Sequence, residues 1–498
     1  MGVNLIAVAL IIPVIAAIQL VLGRSLYTNR SASYVGAAAM AASFAALVGA
    51  WALRDDGERW AGLIDVVWIE TLGARFHLGL DGISWPLALM AALLAILACL
   101  SLGDNPPVGS TPTLVALVLV ISSASIGVFA ALDLLLFFVF FEFALIPMWF
   151  VIAWWGDPSD DRGRRYAATR FLLFTVFGSA LMLAGFALVA VRGDTLQITE
   201  LSGIALSSPY MVFAAVLIAL GFAVKTPLVP FHTWLPDAHS KAPTVGSVLL
   251  AGVFLKLGTY GLVRVNVEMM PAATATFAPY LGVAGVVGII YSALACLRQD
   301  DLKRLIAYSS IGHMGFVVLG LSTMTDLGIA AAIFGSVAHG LITGLLFFNA
   351  GWLKSRYGTV SLRAMGRGLY SRAPWLAVIF VFGAIASLGL PGLAGFWGEM
   401  LALRSVYEVG PVLASELAWT LLGVGAIGVV LATAYFVRAI RRLCQGEPTS
   451  VDVDRDVSAT ESVIAGVLVA SIVALGVAPG LLMGALEPTV ILITGGAR

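Results

Sequence analysis

The sequence predicts an all-α polytopic membrane protein of about fourteen transmembrane helices, forming a single membrane domain over residues 1–498. Three observations carry this reading. Of the 498 residues, 60% are hydrophobic and only 11% are charged, against roughly 25% charged in an ordinary soluble domain, so polar side chains could not cover a water-exposed surface. Apolar runs of about 20 residues, the length that crosses a bilayer, recur along the whole chain. Several of these runs contain an isolated ionisable side chain, which is expensive in lipid and is normally kept for transport or proton relay.

The first run, 3–23, has no basic segment ahead of it and is too long for a signal-peptide core, so it reads as an uncleaved first span. Runs two to seven follow near 33–53, 83–102, 112–131, 133–155, 168–191 and 209–231. Seven more lie near 243–263, 277–297, 304–322, 327–349, 374–403, 417–437 and 462–484. Asp133 stands at the start of the fifth run and reads as its N-cap. Segment 54–82, and segment 438–461 with Asp452, Asp454, Arg455 and Asp456, read as solvated loops, as does Asp300-Asp301 beside Lys303 and Arg304. Gly282, Gly285 and Gly288 fall inside an apolar run without the strand or downstream acid of a nucleotide loop, and read as close helix packing.

Two spans are interrupted. The seventh carries Lys225-Thr-Pro-Leu-Val-Pro, and the twelfth carries Leu390-Pro391-Gly392 ahead of Glu399. Backbone polar groups can be left open at membrane depth only against protein or water, and paired interruptions point to inverted repeats around an ion path. The expected repeats are two sets of five helices, spans 4–8 over 112–263 and spans 9–13 over 277–437, with helices 7 and 12 broken.

Charge and motif scans remove other classes. Twenty-eight basic residues balance 28 acidic ones, which leaves no basic excess for a nucleic-acid partner. No G-x-x-x-x-G-K-[ST] segment supports ATP hydrolysis. Cys99, Cys296 and Cys444 are far apart, without the C-x-x-C spacing of zinc or iron–sulfur sites, and read as apolar core filling. Loops after odd-numbered spans hold nineteen of the 28 Lys and Arg residues and the opposite side seven, with Lys225 and Lys256 inside spans. The positive-inside rule then puts both termini on the external face.

The candidate site residues are the ionisable groups within spans. Glu142 follows Leu-Leu-Leu-Phe-Phe-Val-Phe-Phe, and Lys225 and Lys256 each end an apolar stretch although the chain has only five lysines. A lysine can load and release a proton as burial and a nearby carboxylate alternately weaken and strengthen its hold, so approach and withdrawal of Glu142 and Lys225 would drive transfer. A structural ion pair fixing helix register is the competing reading. His313 and His339 titrate near neutrality and can pass protons between their ring nitrogens, with hydrogen-bonded packing as the alternative. Glu399 sits just beyond the interruption in span twelve. His232 and His239 flank the Trp234-Leu-Pro-Asp237 turn and read as interfacial or relay, and His77 carries no signal.

Together, Gly79-Leu-Asp-Gly-Ile-Ser84, Phe141-Glu142 through Pro147, Val224-Lys225-Thr-Pro227 to His232-Thr-Trp-Leu-Pro-Asp-Ala-His239, Lys256-Leu-Gly-Thr-Tyr-Gly, Asp300-Asp-Leu-Lys-Arg through His313, and Leu390-Pro-Gly to Glu399 resemble the antiporter-like proton-pumping subunits of respiratory complex I. The motifs cover roughly residues 75–405. The resemblance implies a fourteen-helix core and a proton-translocating role in NADH:quinone oxidoreductase. It implies a switching pair of Glu142 and Lys225, a midplane axis through Lys256 and His313 or His339, and a terminal site at Glu399. Glu399 stands where the pattern of the L and N types of subunit carries lysine, so a third type is the nearest match. The resemblance further implies other complex I membrane subunits as partners, especially L and N, in a bacterial inner membrane, with FMN, iron–sulfur clusters and quinone on other subunits and no cofactor on this chain. A subunit of a multisubunit Na+/H+ antiporter is the alternative.

Overall fold

The computed structural model describes residues 4–55, 57–202, 208–408, 412–447 and 456–495. Asp452, Asp454 and Arg455 and the terminal residues lie outside them. Helix formation follows the apolar runs. Helices α1 (Leu5–Leu22) and α2 (Asn29–Ala52) come first, then the antiparallel ribbon of β1 (Ala61–Ile69) and β2 (Ala74–Leu80). Next are α3 (Trp85–Asp104), α4 (Thr111–Ala130), α5 (Leu134–Trp155) and α6 (Asp161–Gly193), followed by α7 (Pro209–Lys225), α8 (Trp234–Lys241) and α9 (Thr244–Met269). The second half runs α10 (Pro271–Arg298), α11 (Leu302–Leu321), α12 (Asp326–Tyr357), α13 (Pro374–Ser387), α14 (Ala394–Tyr407), α15 (Ser415–Leu443), α16 (Ala459–Val477) and α17 (Gly480–Thr494).

Among the described residues, twelve helices are long and apolar enough to cross a membrane, and α7, α13 and α17 are shorter apolar helices beside them. The expected interruptions are both present. The seventh span breaks between α7 and α8, where Pro227 and Pro230 bar helical continuation, and the twelfth breaks between α13 and α14 around Pro391. Trp234 at the head of α8 donates its Nε1–H to the Val224 carbonyl at 3.0 Å, satisfying a group that the early end of α7 leaves open. The last run is shorter than expected, because α16 stops at Val477 and α17 restarts at Gly480.

Two helices lie almost wholly inside the bundle. Helix α9 is completely buried along its apolar window and α12 nearly so, whereas α1, α6, α15 and α16 turn most of their surface outward. Glycines set the closeness of the crossings: a Cβ on Gly285 would meet the Gly315 carbonyl at 2.7 Å, and one on Gly398 would meet Gly335 Cα at 2.6 Å. The glycines of 282–288 therefore serve helix packing, as their setting implies. Asp133 caps α5 by accepting from the backbone N–H of Leu135 and Leu136, each at 2.9 Å.

Three segments differ from the sequence reading. Residues 54–82 are not simply a solvated loop: they form the ribbon, and Asp81 at its end is fully buried. Arg264, counted with the external loop after span eight, is fully buried in α9 and bonded to Asp81 and Glu268 at 2.6 Å each. Arg59 closes the ring onto Asp81 at 3.0 Å and Glu268 at 2.6 Å. Two guanidinium and two carboxylate groups thus neutralise one another, which is the condition for burying them. Burial raises the Asp81 pKa, but Arg264 and Arg59 outweigh that and hold it below the ordinary value. Finally, Lys303 is not in a loop but in the first turn of α11, buried, with its Nζ donating to the Ala242 carbonyl at 2.8 Å. Asp301 caps that helix and pairs with Ser361.

Candidate functional site

Lys225 is the last residue of α7, held at the seventh-span break by the prolines that follow it. Its side chain is buried and its Nζ has no hydrogen-bond partner. Instead it stands over the rings of Phe141, 4.5 Å from the centroid, and Phe254, 4.6 Å away, a geometry in which a desolvated cation gains about 2 kcal/mol. Glu142, next to Phe141, is the nearby carboxylate, and its Oε1 is also buried without a partner. The two groups are electrostatic neighbours but form no ion pair in this state.

Helix α9 brings the second lysine close to the first. A Cβ on Gly258 would lie 2.4 Å from Thr226 Oγ1 and 2.8 Å from its backbone nitrogen, so only glycine lets α9 touch the end of α7 two residues from Lys256. Lys256 itself sits between two wide π-helical segments, Leu250–Phe254 and Leu262–Met269. Such widened turns expose carbonyls that a regular helix would occupy, and Lys256 Nζ donates to the Ala251 carbonyl at 2.6 Å. The same Nζ lies 2.6 Å from His339 Nδ1 on α12.

From His339 the polar groups continue. Its ring centroid is 5.5 Å from that of His313 on α11, and its Nε2 is buried without a protein partner. His313 is held from both sides of the twelfth-span break: Nδ1 meets Glu399 Oε1 at 2.9 Å and Nε2 meets Ser387 Oγ at 2.7 Å. Ser387 closes α13 and Glu399 lies in the second turn of α14. A cavity of about 30 Å³ opens among His313, His339, Ser387, Gly335, Gly398 and Glu399, above the roughly 10–15 Å³ needed to hold a water.

The structure therefore joins Lys256, His339, His313 and Glu399 into one string and places Lys225 and Glu142 at its other end. Sequence reasoning had no signal for Ser387 or for the burial of Lys303, and left His239 between an interfacial and a relay reading. His239 is not interfacial but fully buried, stacked on Phe347 at 4.4 Å with both ring nitrogens unpartnered, and Lys303 and Lys256 are its charged neighbours. Lys303 was hidden among the charges of Asp-Asp-Leu-Lys-Arg. His232 is mostly buried and packs edge-on against Tyr291 at 4.8 Å. His77 is hydrogen-bonded to Gln197, which in turn donates to Asp133. Among the described residues, no group of three His, Cys, Asp or Glu is arranged to hold a metal ion.

Comparison with known proteins converges on one family. Residues 131–425 match the family model described as NADH:quinone oxidoreductase/Mrp antiporter, TM. The chain is 39% identical over 445 residues to NAD(P)H-quinone oxidoreductase chain 4 of a Synechococcus strain, covering 86% of this chain and 81% of that one. It is 38% identical over 427 residues to NADH-quinone oxidoreductase subunit M of Rickettsia prowazekii, covering 83% and 82%. Among solved structures, respiratory complex I from Thermus thermophilus contains a chain that superposes with a TM-score of 0.88 at 28% identity, over 99% of this chain and 100% of that one. A chain of the Mrp complex from Dietzia sp. shares the fold, with a TM-score of 0.86 at 19% identity over 100% of both chains. The chain belongs to the NADH:quinone oxidoreductase/Mrp antiporter transmembrane family, in the branch of subunit M and chain 4.

Proposed function

We propose that this chain is a proton-translocating membrane subunit of NADH:quinone oxidoreductase, in which electron transfer on other subunits drives protons along the buried string. The observation that supports this best is the succession of Lys256, His339, His313 and Glu399, hydrogen-bonded at both ends and in ring contact in the middle, through the interior of the bundle. A proton released by Lys256 passes to His339 Nδ1, and one leaves from Nε2. Water in the cavity and the Ser387 hydroxyl, which both donate and accept, carry it to His313 Nε2. The imidazole then delivers a proton from Nδ1 to Glu399. Movement of Glu142 towards Lys225 and away again sets whether the next proton is held or handed on.

In the same reading, 112–263 and 277–437 are the inverted repeats, each contributing one broken helix. FMN, iron–sulfur clusters and quinone lie on other subunits, and the neighbouring antiporter-like partners are of the L and N types. The chain is set in a bacterial inner membrane with both termini outside, so a cysteine replacing Arg165 reacts with an impermeant thiol reagent only from the inner side. Vesicles containing the intact complex test the function: NADH should drive proton uptake equally well with and without Na+. Na+-dependent proton exchange that needs no NADH would instead establish an antiporter.

A further inference from the structure

A basic pocket that contains none of the proton-string residues lies at the end of α15. It has a volume of about 490 Å³ and is lined by Arg438, Arg441 and Arg442, with Arg367, Gln445 and Gly446 facing them. Among the described residues, the one carboxylate in ion-pair range of Arg438, Arg441 and Arg442 is Asp300, 3.9 Å from Arg442 Nη1. That nitrogen and the Asp300 Oδ1 it faces are both buried without a hydrogen bond; Ser361 donates to the other Asp300 oxygen, and Arg363 lies 3.4 Å from Oδ1. Among the described residues, three guanidinium groups thus line one concavity with a single carboxylate in ion-pair range. Interaction with the negative end of the helix dipole accounts for arginines at this terminus but not for their convergence on a pocket.

The face of α15 leading into the pocket is apolar and outward. Ile427, Val430 and Val437 are 55%, 68% and 43% exposed, and with Ala434, which also lines the pocket, they fall at three- and four-residue spacing on one side of the helix. From Ile427 to Arg438 the helix rises ~16 Å at 1.5 Å per residue, close to half of a ~30 Å hydrocarbon core. A free phosphate would use the arginines but not the stripe.

We infer that the pocket binds the headgroup of an anionic phospholipid, with one acyl chain lying along Ile427, Val430, Ala434 and Val437. Arg438 and Arg441 donate to the phosphate oxygens, and Arg442, which also lines the pocket, adds its positive charge beside them. The pocket shares no residue with the proton string.

The test compares intact complex with Arg438→Gln/Arg441→Gln/Arg442→Gln and with the corresponding triple lysine variant. Phospholipid retained through detergent exchange is quantified by headgroup-resolved mass spectrometry. The wild type should retain anionic phospholipid that the glutamine variant loses, with affinity falling about fivefold per arginine removed. The lysine variant should keep most of it, and zwitterionic lipid should not change. Equal retention of anionic lipid in all three proteins overturns the inference. So does a site filled by inorganic phosphate with no lipid retained, or loss of a neighbouring subunit from the glutamine variant with lipid unchanged. If that variant fails to assemble, a photoactivatable anionic phospholipid on wild-type complex should crosslink to α15 between Ile427 and Gln445. Crosslinks scattered over other helices would overturn the inference.

Discussion

Lys225 illustrates how a single side chain can be placed against the interest of stability. It is buried, its Nζ lacks a hydrogen-bond partner, and the faces of Phe141 and Phe254 flank it. A cation at the centre of a span costs at least ~2.5 kcal/mol, and cation–π contact returns only part of that. Lys225→Met should therefore assemble with a Tm equal to or above that of the wild type while NADH-driven pumping falls by about two orders of magnitude. A lowered Tm with pumping retained would make the lysine structural. Outside the spans, Asp157 shows the opposite economy. Burial raises its pKa, but hydrogen bonds from Lys354 at 2.7 Å and from Ser159, together with the Lys354 charge, hold it at about 2. Because this lies below the unfolded value of about 3.9, the stabilisation is complete above the unfolded value and is lost as the pH falls through the folded one. The Tm deficit of Asp157→Asn should accordingly be constant from about pH 7 to 5 and vanish towards pH 2; a deficit that persists at pH 2 would assign the effect to packing. Glu142, Lys225, Lys256 and Glu399 were legible in the sequence because an isolated charge in an apolar run is visible along one dimension. Arg264 and Lys303 were not, since each stands at the edge of a run among other charges and its burial depends on partners contributed by distant segments.

At the scale of elements, the twelfth-span break is what presents Ser387 and Glu399 to opposite nitrogens of His313. Gly389 adopts φ +67°, and a Cβ there would lie 2.8 Å from Glu399 Oε2. Gly392 adopts φ +90° with nothing within 4 Å of its Cβ position. Alanine at either position meets backbone strain of about 1–2 kcal/mol, but only Gly389→Ala also pushes on the carboxylate. Gly389→Ala should lower NADH-driven pumping several-fold, whereas Gly392→Ala should retain most of it; equal losses would reduce the effect to strain alone. Both broken helices could be foreseen, because Pro227, Pro230 and Pro391 sit inside apolar runs. The π-helical segments around Lys256 could not, since Leu-Ala-Gly-Val-Phe, which packs against α12 and α3, has the composition of any buried helix. The ribbon 61–80 was likewise hidden, because its acids and glycines read as a loop until pairing across the turn is considered.

For the whole molecule, the arrangement separates paired charge from unpaired charge. The ring of Asp81, Arg264, Glu268 and Arg59 is fully paired and ties the ribbon to α9, whereas Glu142, Lys225, His239 and His339 each keep a buried polar atom without a partner. Unpaired groups of that kind are retained where a proton or a water must come and go. The most buried helices, α9 and α12, carry Lys256 and His339, so the string runs through the middle of the bundle rather than along its surface. The most direct test of this account uses Glu399→Gln, which keeps the size of the group beside His313 but cannot carry a proton. NADH-driven proton pumping in vesicles and NADH:quinone electron transfer should be measured together on the assembled complex. Both should fall at least about tenfold with assembly intact; pumping and electron transfer at wild-type rates would place Glu399 off the proton path.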